Sequence, residues 1–84
     1  MPGNPTFVVM SFVMKRGQLA PGQKDAAPSA SGAVKRAEAQ AVRNQGAAAL
    51  RIVADEDTGE VEQAEILASF GRVPDDLLDQ IKGG

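Results

Sequence analysis

The sequence predicts a small α+β domain: a sheet of about three strands in β-α-β-β order, one main helix on one face, and a short C-terminal helix. Three observations predict it. The run Phe7-Val8-Val9-Met10-Ser11-Phe12-Val13-Met14 is apolar at both alternating sets of positions, the mark of a strand with two faces to cover. An alanine-rich stretch repeats its apolar residues at the helical period. A second alternating run ends in Asp55-Glu56-Asp57-Thr58-Gly59-Glu60, the residue chemistry of a hairpin connection.

Residues 1–5, with two prolines and a glycine, read as a flexible arm, and residues 6–82 as one domain. In the first strand Phe7, Val9 and Val13 share one face, while Val8, Met10, Phe12 and Met14 share the other. Lys15 to Pro28 carries Gly17, Pro21, Gly22 and Pro28 among polar residues and reads as a long connection. The helix follows. Ser29 or Ser31 can cap it, and Ala30, Ala33, Val34, Ala37 and Ala41 form its apolar stripe. Gly46 stands where a left-handed residue would end it. A stripe so rich in alanine lets the helix lie close to a sheet.

Ala47 to Ala54 alternates, with Ala48, Leu50, Ile52 and Ala54 on one face. Val61 to Phe70 fits either period, and the hairpin chemistry before it favours a strand. Gly71 and Pro74 close that element. Asp75 to Ile81 then reads as one or two helical turns with acids at the dipole-favoured end, and Gly83-Gly84 as a tail. A crossover from the first strand through the helix would set the two flanking strands parallel. A first strand at the sheet edge would invite a second chain.

Composition narrows the function. Eighty-four residues with 43% hydrophobic content look well supplied, yet fourteen of the apolar residues are Ala, so the core is thin. There is no Cys and no His. The usual zinc ligands and the usual general acid–base are therefore missing, and no cofactor or catalytic residue is expected. Tyr and Trp are absent as well. A net charge of −2 does not advertise a nucleic-acid partner. The N-terminal apolar run has its basic residues after it, the reverse of a secretory signal, and no stretch is long enough to cross a bilayer. A cytoplasmic, membrane-free protein is the expectation.

Candidate sites are few. Asp55, Glu56, Asp57 and Glu60 share one turn, but Gly59 falls at the fifth place of a calcium loop, which needs it at the sixth. Asp75, Asp76 and Asp79 lack a partner for acid–base work. Arg36, Arg43 and Arg51 make a candidate basic patch, which would suit a nucleic-acid accessory role. Val8, Met10, Phe12 and Met14 make a candidate interface, because one helix covers one face and leaves theirs to another subunit, a ligand or the C-terminal tail.

Two resemblances add to this. The terminal Gly83-Gly84 and the chain length resemble ubiquitin-like and sulfur-carrier proteins, whose flexible Gly-Gly carboxylate is activated by adenylation. Those folds open with a strand hairpin, where this chain carries Pro21 and Pro28, and they lead into the tail with a strand. The segments Ala33-Val34-Lys35-Arg36-Ala37-Glu38, Asp57-Thr58-Gly59-Glu60 and Ile66-Leu67-Ala68-Ser69-Phe70-Gly71-Arg72-Val73-Pro74 resemble a family of small uncharacterised bacterial α+β proteins. That likeness implies the fold class and carries over no activity or site. The expectation for function is a non-catalytic protein-interaction module that acts as a homodimer.

Overall fold

The computed structural model describes residues 4–82 and contains four strands, not three: β1 (Pro5–Lys15), β2 (Gln18–Ala27), α1 (Ala30–Arg43), β3 (Gly46–Ala54), β4 (Val61–Gly71) and α2 (Leu77–Lys82). The sheet order is β2-β1-β3-β4, and all three neighbouring pairs are antiparallel. The α+β class stands, with one main helix and a short C-terminal one. Pro5 already belongs to β1, opposite Val53; Asn4 before it is exposed and in no element, while Met1 to Gly3 lie outside the described residues, as does the Gly83-Gly84 tail.

The additional strand is the segment expected to be a connection. Arg16 and Gly17 both adopt positive φ, 53° and 79°, and reverse the chain in two residues as a hairpin turn requires. Lys15 then pairs with Gln18 and Phe7 with Ala27. One expectation falls with this: β1 runs antiparallel to β3, not parallel. The strand order, open in the sequence, places β1 in the centre and not at an edge. The strands that α1 joins in a parallel sense are β2 and β3, with β1 between them.

Ser29 is the cap of α1: its extended backbone lets the side chain accept from the Gly32 N–H at 3.0 Å, as a serine at this position should. Gly46 does not end the helix. Asn44 does, in extended conformation, donating its backbone N–H and its side-chain Nδ2 to the Gln40 carbonyl. Gly46 instead opens β3, where a β-carbon would collide with the Arg72 backbone.

Each face of the sheet has its own core. On the α1 face Ala33 and Ala37 pack on Val9, Ala47 and Ala49, with Phe7, Val34, Ala41, Leu67 and Phe70 around them. Ala30, assigned to this stripe from periodicity, is exposed. Small side chains on both sides seat the helix close to the sheet, so this core is close-packed but thin. On the opposite face Phe12, Ala48, Leu50 and Leu77 are buried together, bordered by Met10, Leu19, Ile52, Val73 and Ile81.

Candidate functional site

The alternation of β1 places Val8, Met10, Phe12 and Met14 on the face away from α1, and the structure distributes these four unequally. Phe12 is fully enclosed and Val8 is 6% exposed. Met10 is half-buried, and Met14 is 39% exposed. The cause is α2. Its six residues lie beneath β4 and send Leu77 into the centre of the face against Phe12, Ala48 and Leu50. The fold therefore supplies its own cover for Phe12.

That cover reaches only part of the way. Between α2 and the β1–β2 half of the face runs an open groove of about 430 Å³, lined by Met10, Pro21, Lys24, Ile52, Val61, Leu77, Gln80 and Ile81. Its floor is apolar, Lys24 borders it from β2, and Gln80 borders it from α2. Gln80 donates from Nε2 to Asp76 Oδ1 at 3.0 Å, one helical turn back. Ile66, opposite Leu50 in the ladder, adds a side chain 37% exposed on the β4 side.

The sheet edges are less inviting. β2 carries Pro21 and a bulge, two residues of β1 spanning three of β2 between Met10–Lys24 and Phe12–Pro21. β4 carries two bulges, which set Leu67 and Glu62 outside the register with β3. Proline and bulges at edge strands discourage pairing with a further strand. At the β2 bulge, buried Ser11 accepts from the Gln23 N–H at 2.8 Å and so restores a bond that the irregular ladder loses.

The three arginines of the candidate basic patch do not come together. Arg36 donates from Nη1 to the Ala26 carbonyl at 3.0 Å and ties α1 to β2. Arg43 lies in the last turn of α1, where a cation complements the helix dipole. Arg51 is half-buried on β3, opposite Phe7, whose other partner is Ala27 just before the helix begins. Arg51 and Arg43 thus stand at opposite ends of α1, about 20 Å of helix apart.

The acidic turn is occupied with its own backbone. Asp55 Oδ1 accepts from the N–H groups of Asp57 at 2.7 Å and Thr58 at 3.0 Å. These two bonds, Thr58 first, hold the Asp55 carboxyl below its ordinary value, because they favour the charged form. Among the described residues no three of Asp, Glu, His and Cys converge to hold a metal ion. No helix among them is long and apolar enough to cross a membrane.

Of the two features said to separate this chain from ubiquitin-like carriers, one is corrected: the fold does open with a strand hairpin, β1–β2, ahead of α1. The other stands, since α2 and not a strand precedes the tail. Comparison with protein-family models, curated proteins and solved structures finds no match to this chain.

Proposed function

We propose that this chain is a non-catalytic protein-interaction module that works as a homodimer, joined through the β1–β2 half of the face away from α1. The observation that carries the reading is the uneven cover of that face. α2 lies under β4, while on the other half Met10 and Leu19 stay half-buried beside the groove and Met14 is 39% exposed. Single exposed apolar side chains are ordinary, but a contiguous set beside an apolar groove marks an interaction site. The interrupted edges leave the face as the better surface for a second copy. Two methionines there suit a packing surface that adapts to its partner. The expected setting is the cytoplasm, where a chain without cysteine loses nothing to the reducing conditions. The family likeness to small bacterial proteins belongs with this reading and assigns no chemistry against it.

The test is Met10→Lys, measured by sedimentation. A charge in the groove should convert the dimer to a monomer that keeps the wild-type circular dichroism. A variant that associates as the unmodified chain does would place the interface elsewhere.

A further inference from the structure

The face proposed above as the dimer surface is asymmetric in both shape and charge. In shape, α2 is a ridge on the β4 side, and the β1–β2 half beside it is a hollow. In charge, the hollow is bordered by Lys24, with Arg16 at the hairpin turn beyond it, while Lys15 alternates to the α1 face with Val9 and Val13. The ridge and its lead-in carry Asp75, Asp76 and Asp79 against Arg72 and Lys82. Asp25, the acid next to Lys24, pairs with Val9 and so belongs to the opposite face.

These features also coincide in level along the strands. Lys24, Met10, Gln80 and Ile81 line one groove, so Lys24 stands level with the second half of α2. Gly71 opposes Gly46, which opposes Phe12. The chain leaving Gly71 toward Asp75 and Asp76 is therefore at the same end of the sheet as the Lys15–Arg16 tip. Leu77 and Ile81 point into the core, so the helical period turns Asp79 away from its own sheet.

Resting on the homodimer reading, we infer that the occupant of the groove is a second copy of this chain, docked with its α2 ridge in the hollow. A two-fold axis parallel to the strands carries each ridge over the other copy's hollow and keeps every level unchanged. Such an isologous interface is self-complementary by construction. Asp79 of each copy then meets Lys24 of the other, and Asp75 and Asp76 approach the Arg16 turn. Opposed charges of this kind fix register and exclude wrong pairings.

The experiment is sedimentation of the full chain as wild type, Lys24→Glu, Asp79→Lys and the double exchange. Each single reversal should weaken dimerisation about tenfold or more, and the double exchange should recover most of that loss. Recovery in the double variant also shows that neither single change acted by unfolding α2. A wild-type dimer indifferent to all three variants would overturn the ridge-in-hollow arrangement and leave the homodimer reading intact. A wild type that stays monomeric would overturn both.

Discussion

Gly46 of β3 and Gly71 of β4 face each other in the ladder, and neither has room for a β-carbon. One on Gly46 would run into the Arg72 backbone; one on Gly71 would stand 2.5 Å from the Gln45 carbonyl oxygen. The two glycines let the chain from α1 and the chain toward α2 cross at contact distance, where the Arg72 N–H donates to that Gln45 carbonyl at 3.0 Å. The site proposed for association depends on this crossing, because it aims α2 back under the sheet.

Gly46→Ala should accordingly destabilise the fold by about 3 kcal/mol, since the obstacle is backbone and cannot rotate away. Gly17→Ala is the contrast. Its φ is +79° and nothing lies within 4 Å of the added carbon, so only the left-handed strain of about 1 kcal/mol applies. Urea denaturation of the two variants separates crowding from strain.

Leu77→Ala should cost about 2–5 kcal/mol if the sheet cannot close over the vacated space. Leu77 is fully buried against Phe12 and Leu50, and a helix of six residues has little stability of its own. Hydrogen exchange should therefore accelerate throughout α2 while the β1–β3 ladder stays protected. Uniform acceleration in both would show that α2 unfolds only with the whole domain.

Ser11→Ala should cost about 1 kcal/mol, the size of one neutral hydrogen bond, since water reaches the freed Gln23 N–H. The exchange of that single amide should quicken most. An unchanged Gln23 amide would mean that the bulge holds without the serine.

The Asp55 turn gives the pH prediction. Its carboxyl is depressed in the folded state below 3.8, first by Thr58 N–H and then by Asp57 N–H. A depressed carboxylate contributes stability that is complete above its unfolded value and is lost as pH falls through the folded value. The stability gap between wild type and Asp55→Asn should thus be constant above about pH 5 and shrink below about pH 4. A gap that does not change down to pH 2 would contradict the charged role of this carboxyl.

Much of the fold was legible because its signals are local. The two-faced β1, the Ser29 cap, the alanine stripe and the Asp55–Glu60 turn each lie within one segment. β2 was not. Leu19 is its only large apolar residue, and Pro21 and Gly22 disguise it, which is how an edge strand with a bulge is tolerated. The available signal was β1 itself: a strand apolar on both faces is a central strand and needs two neighbours. Missing β2 also reversed the expected direction of β3. At the candidate site, Met10 and Met14 could be found by alternation alone. The C-terminal segment was one of the covers the sequence offered for this face. That it encloses Phe12 was not legible, because this depends on where Leu77 arrives after a chain reversal at Arg72–Pro74. Ile52, Val61, Ile81 and Lys24 join the groove through tertiary contact, for which the sequence carries no local pattern.

The most direct test is sedimentation equilibrium of the unmodified chain over about a hundredfold range of concentration, where self-association follows mass action. The expected result is a mass that rises with concentration from 8.7 kDa toward twice that value. A mass of 8.7 kDa throughout would contradict the homodimer, and with it the role assigned to the open half of the sheet.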